Sequence, residues 1–201
     1  KYRKLIVAPI NLREALNERI EREIAHQKQH KNGHMIFKLN ALVDKPMIRN
    51  LYRASQAGVK IDLIVRSMCS LRPGIKGLSE NITVRSVLGR FLEHSRIYYF
   101  NNNGQEEALL GSADLMTRNL NDRVQVLFPL KERSLVKHIR EDILPAYLAE
   151  SNGSHFMNSD GTYEKTKPKK VKDVSHHVQS IFLLNGNVPE GIPFKKEKTK
   201  S

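Results

Sequence analysis

Two hydrophobic periods take turns along this chain. Lys4–Pro9 (KLIVAP) is a short apolar run closed by proline, which predicts a brief strand. Leu12, Leu16, Ile20 and Ile24 then recur four residues apart and predict a helix over Leu12–Lys31, with Asn11 at its N-cap and Glu14 at capping-box spacing. Asn32 and Gly33 end it. His34–Leu42 (HMIFKLNAL) returns to β alternation, and Lys45–Ala57 is helical up to Gly58. Lys60–Ser67 (KIDLIVRS), apolar at Ile61, Leu63, Ile64 and Val65, is the best candidate for a buried strand. A Gly/Pro/Ser-rich loop from Cys69 leads to the strand NITVRSV, and two more strands fall inside Gly89–Asn119. Val124–Leu130 (VQVLFPL) is a last strand; Leu135, Ile139 and Ile143 mark a helix over Glu132–Leu148. Strands alternating with helices predict an α/β domain, a sheet covered by helices on both faces.

Past Glu150 the pattern fades, so the reading divides into a domain over 1–150 and a C-terminal arm over 151–201. The arm begins polar and reads as a loop or extended segment. VSHHVQSIFLLNG reads as one short amphipathic helix, and KKEKTKS as a disordered end. A chain that enters a strand almost at its first residue, Lys1, reads as cut from a longer protein.

Charge narrows the partners. The chain holds 34 Lys and Arg against 21 Asp and Glu, a net +13, and Asp160–Ser201 carries nine Lys and five acids of that. The body is therefore basic in its own right, which suits polyanions: nucleic acid, an anionic membrane or a phosphate polymer. Tryptophan is absent and aromatics are sparse, which weakens single-stranded nucleic acid as the target. No apolar run reaches transmembrane length, and the lone Cys69 fits a reducing cytoplasm.

The chemistry concentrates in Gly89–Asn119 (GRFLEHSRIYYFNNNGQEEALLGSADLMTRN). His94 and Arg96 open one strand; Gly111, Ser112, Asp114, Arg118 and Asn119 follow the end of the next. A histidine two residues from a cation, then a Gly-Ser-x-acid turn, suits a phosphoryl site. Four blocks in order, LIVAPINLREAL, FKLNALVDKPMIRNLYRAS, VKIDLIVRSMCSLRPGIKGLSENITVRSVLGRFLEHSRIYYF and GSADLMTRNLNDRV, resemble polyphosphate kinase over nearly the whole chain. The part resembled is that family's last domain, which implies a phospholipase-D-like mixed sheet with helices on both faces.

The resemblance implies reversible transfer of the ATP γ-phosphate to polyphosphate through a phosphohistidine on a preceding domain that this chain lacks. His94 takes the place of the family's second active-site histidine, and Arg66 that of an arginine binding ATP phosphate. Arg72, Arg90, Arg118 and Arg123 are further phosphate candidates. Ser112 and the Gly111 backbone are read as phosphate contacts, and Asp114 as orienting His94 or an arginine. Guanidinium suits this work because its planar fork meets phosphate oxygens in pairs. Magnesium is implied for the full-length enzyme, with no ligand expected here. The implied partners are ATP, ADP, polyphosphate, the preceding domains and a homo-oligomer, in the cytoplasm or at a membrane surface. The family commonly carries an aromatic residue where Leu115 stands.

A competing reading is a phospholipase-D-like phosphodiesterase or nuclease completed by dimerisation. Against it, the hydrolytic His-x-Lys followed by Asp is here His94-x-Arg96 followed by Asn101, and Gly-Ser-x-Asn is Gly111-Ser112-Ala113-Asp114. A third is a non-catalytic basic module for nucleic acid. His26, His30 and His34 recur every fourth residue, yet a solvated face explains them better than a metal site. Cys69 reads as a small buried residue, and His176-His177 as helix surface.

Overall fold

The computed structural model describes residues 4–88, 92–148 and 154–165. Its strands are β1 (Ile6–Ala8), β2 (His34–Leu39), β3 (Lys60–Val65), β4 (Ile82–Val87), β5 (Arg96–Phe100), β6 (Glu107–Gly111), β7 (Gln125–Pro129), β8 (Ser154–Met157) and β9 (Tyr163–Lys165). They form one sheet in the order β1-β7-β6-β5-β2-β3-β4-β8-β9. β2, β3 and β4 run parallel at its centre, and the other neighbours pair antiparallel.

Alternation along the strands splits the core. On one face Met35, Phe37, Leu39, Leu63 and Tyr98 pack against Leu16 and Ile20 of α1 (Leu12–His30) and Leu51 of α2 (Lys45–Gln56). On the other, Ile36, Ile64, Ile97 and Tyr99 pack against Val136 of α4 (Arg133–His138) and Leu144 of α5 (Leu144–Leu148). Between these two lies α3 (Thr117–Asn121) in chain order. Central strands buried on both faces explain why β2 and β3 read as almost continuous apolar runs. Helices do cover both faces of a mixed sheet.

Three local expectations change. The helix over Glu132–Leu148 is interrupted by a wide π turn at Ile139–Ile143, just before Pro145, which has no amide hydrogen to give Glu141. Asn11 stands at the N-cap position of α1, but its side chain accepts from the Val7 amide (2.8 Å) and caps no helix amide. Part of the arm is strand: β8 pairs with β4, and the Arg85 guanidinium lies 4.4 Å from the Phe156 ring centre. The short helix and tail expected beyond it lie outside the described residues.

At the N-cap of α2, Asp44 is fully buried. Both its oxygens meet the Arg13 guanidinium (2.8 and 2.9 Å), and it accepts from the Met47 amide and the Thr117 hydroxyl. Burial alone would raise Asp44, but these donors together hold its carboxyl below the usual range. Asp62, against His34 and Thr83, and Glu107, against Arg19 and Arg22, resolve the same way. Glu23 goes the other way, raised chiefly by burial. A carboxylate depressed in the folded state stabilises above its unfolded pKa, and that stability is lost as pH falls through the folded value. Glu23 has the opposite sign, one group against three. Urea unfolding is therefore expected to show falling stability below about pH 4; equal midpoints at pH 6 and pH 3 would contradict it.

Candidate active site

Topology brings distant residues to one end of the sheet. Parallel β2 and β3 finish there, antiparallel β5 starts there, and β6, antiparallel to β5, finishes there. The loops beyond are tied together: Leu42 bridges both Cys69 and Leu115. The Leu42 amide donates to Met68 O (2.8 Å), and the Val43 amide to Leu115 O (2.9 Å). Leu115, fully buried, thus serves the scaffold through its backbone.

These loops enclose a cleft of about 440 Å³ whose lining includes Asn40, Arg66, His94, Ser112, Arg118 and Arg123. Arg96, Asp114 and Asn119 also line it. Arg66, Arg118 and Arg123 form no ion pair among the described residues, although ion pairs are frequent elsewhere on the domain. Three uncompensated guanidinium groups facing one cleft create a field for a multiply charged anion.

Asp114 is buried and serves Arg96. Its Oδ1 accepts from the Asn40 amide (2.7 Å) and Arg96 Nε (3.2 Å); its Oδ2 accepts from Arg96 Nη2 (2.8 Å). The Asp114 amide donates to Asn119 Oδ1 (3.0 Å). The remaining arm of the guanidinium turns to His94: Arg96 Nη1 lies 2.6 Å from the His94 carbonyl and 3.0 Å from Nδ1. His94 is exposed to the cleft, two residues before β5.

The segment carrying His94 is clamped from below. Lys38, buried in β2, donates to Ser95 Oγ (2.8 Å) and Ser95 O (3.2 Å) and lies 3.4 Å from Glu93 Oε2. It also sits 4.7 Å from the Tyr147 ring centre, and the Tyr147 hydroxyl donates to Glu93 (2.6 Å). Burial pushes the Lys38 ammonium below its ordinary pKa; Glu93 opposes this, while Arg66 and Arg96 reinforce it. Burial and then Glu93 raise Tyr147.

Of the residues singled out in the sequence, Arg66, His94, Ser112, Asp114, Arg118 and Arg123 meet in this cleft. Ser112 Oγ accepts from the Val126 amide (3.2 Å), so part of its role is to tie β6 to β7. Arg72 lines a neighbouring hollow, and Arg90 lies outside the described residues. Asn101 is at the far end of β5, its amide side chain donating to Asn32 O (2.8 Å). His26 meets Asn102 and His34 meets Asp62, while the His30 ring stands 6.0 Å from that of His26, so the three spaced histidines do not converge on one site. Burial raises the Cys69 thiol to about 11, against a weak contact with Leu71 O. Asn40, Lys38, Glu93 and Tyr147 went unnoticed in the sequence. A polar residue just past a buried strand, as Asn40 is, was the available signal, because α/β sheets bind ligands beyond carboxyl strand ends.

The cleft does not suit magnesium. Among the described residues no group of three His, Cys, Asp or Glu is placed to hold a metal, and Asp114 is committed to Arg96 and backbone amides.

The mixed sheet has a phospholipase-D-like fold. The fold is shared with Nuc from Salmonella typhimurium, a phospholipase D family member (TM-score 0.52, 11% identity, 78% of this chain and 97% of that one). The family is narrower: residues 5–177 match the polyphosphate kinase C-terminal domain 2, and the chain belongs to that family. The polyphosphate kinase crystal structure from Porphyromonas gingivalis superposes with a TM-score of 0.85 at 39% identity, over 92% of this chain and 28% of that one. Polyphosphate kinase 1 of Chlorobaculum tepidum is 57% identical over 81% of this chain and 23% of its own length. The polyphosphate kinase of Prosthecochloris aestuarii is 49% identical over 95% and 26%. The chain thus spans about a quarter of the curated relatives it matches.

Proposed function

We propose that this chain is the C-terminal catalytic domain of a polyphosphate kinase and supplies one half of a shared site. The other half, a phosphohistidine on a preceding domain, passes the ATP γ-phosphoryl group reversibly to polyphosphate. Convergence of His94 with the unpaired Arg66, Arg118 and Arg123 in one cleft carries this reading, in a chain of this family. Phosphoryl transfer needs positioning and charge stabilisation above all. Arg66 and the two arginines beyond β6 neutralise phosphate oxygens, Ser112 contributes a hydroxyl, and Asp114 keeps Arg96 in place for His94. Magnesium belongs with the rest of the enzyme, as do a cytoplasmic location and a homo-oligomer. No helix among the described residues is long and apolar enough to cross a membrane.

Met68 and Val124 stand exposed beside the cleft, as surfaces another part of an enzyme would cover do. The phosphodiesterase reading is weaker, because Asn101 is remote from His94 and Asp114 is tied to Arg96. The 201-residue chain is expected to bind ATP or polyphosphate weakly without turning over. Arg66→Ala should weaken that binding roughly tenfold or more, the loss of one charge-assisted contact. In the full-length enzyme, His94→Ala should abolish polyphosphate synthesis. Extension of polyphosphate by the chain alone, or intact synthesis by the His94 variant, would sink the half-site.

A further inference from the structure

We propose that Arg96 is a positioning residue that fixes the His94 ring as its Nε2–H tautomer, making Nε2 a hydrogen-bond donor to phosphate and not a nucleophile. Four donor contacts define the guanidinium: Nε and Nη2 to Asp114, and two from Nη1 to His94. Arginine has no acceptor, so a nitrogen 3.0 Å from Nη1 must present its lone pair. Asn40 Nδ2 lies 3.5 Å from the same Nδ1. In a neutral ring the proton then sits on Nε2, the nitrogen left to face the cleft.

The guanidinium cannot swing aside easily. Its side chain is 13% exposed and that of Asp114 7%, and Asp114 is itself held by the Asn40 amide. With Nδ1 taken by Arg96, attack on phosphorus through Nε2 would need the opposite arrangement, Nδ1–H given to an acceptor and a lone pair on Nε2. A lysine, as in the hydrolytic pattern, is a point charge and has no fork with which to serve aspartate and imidazole together.

The proposal takes its ligand from the half-site reading, but the tautomer stands apart from it. When the terminal phosphoryl group transfers, the phosphorus–oxygen bond breaks and its electron pair goes to the bridging oxygen. The new bond forms to the acceptor outside this chain. His94 Nε2–H donates to the charged oxygen and keeps its proton, and no phosphorus–nitrogen bond forms here.

The experiment is a long-range proton–nitrogen correlation on the ¹⁵N-histidine-labelled 201-residue chain at about pH 8.5, where an ordinary imidazole is neutral. His94 is expected to show a protonated, pyrrole-like Nε2 and a pyridine-like Nδ1. Arg96→Lys should move both signals toward those of exposed His30. A pyrrole-like Nδ1 in the unaltered chain overturns the assignment, as does acid-labile phosphate mapped to His94 after incubation with ATP. If the tautomer is found but neither ATP nor polyphosphate binds, the half-site reading fails and the role of Arg96 stands.

Discussion

Alanine at Asp114 is expected to cost about 3–5 kcal/mol of folding stability, the range for removing one partner of a buried ion pair. The carboxylate is 7% exposed and fills both oxygens: Arg96 through two donors, and the Asn40 amide at 2.7 Å. Its loss strands a guanidinium whose side chain is 13% exposed and leaves a buried backbone amide without its acceptor. Urea unfolding measures the loss. A double-mutant cycle with Arg96→Met isolates the pair, and the double variant should be less damaged than the sum of the singles. Asp114→Asn should fall between, because its oxygen still serves the Asn40 amide while its NH₂ faces the guanidinium. A cost below about 1 kcal/mol for alanine would place the pair among solvent-screened surface contacts.

Much of this domain could be read from apolar spacing. β2 and β3 announced themselves because central strands buried on both faces carry nearly unbroken apolar runs, and α1 because its buried residues recur every fourth position. β8 and β9 did not. β9 is exposed throughout and β8 buries only Ser154 and Met157, so an edge hairpin leaves no hydrophobic trace. The cleft followed the same division. His94, Ser112 and Asp114 stood close in sequence, within a motif, and Arg66 at the end of an obvious strand. What those residues bond to was not legible, because the partners come from far along the chain. Lys38 reaches Ser95 across 57 residues and Tyr147 reaches Glu93 across 54. The spacing of His94 and Arg96 was visible; that Arg96 would face His94 with one arm and Asp114 with the others depends on β5 and β6 pairing Arg96 with Gly111.

That pairing makes Gly111 the second position where a small change should have a large effect. It lies between β5 and β7, opposite Arg96 on one side and Leu127 on the other. A Cβ built there would stand 2.0 Å from the Val126 carbonyl oxygen, 2.9 Å from its carbon and 3.0 Å from the Leu127 Cα. All three are backbone atoms, so no side chain can rotate to make room. Gly111→Ala must push β7 away from β6 and break the Ser112 amide bond to Val126 O (3.0 Å). Overpacking against backbone belongs at the upper end of the usual range, about 3 kcal/mol. The damage should reach the cleft as well, since the turn from Gly111 carries Ser112 and Asp114, and displaced β7 begins just after Arg123. The variant is expected to unfold earlier in urea and, where still folded, to bind ATP or polyphosphate more weakly than the unaltered chain. Retained stability would mean that β7 can shift freely; retained stability with lost binding would mean that the strand moves and the core tolerates it, leaving the phosphate site as the part that depends on this close approach.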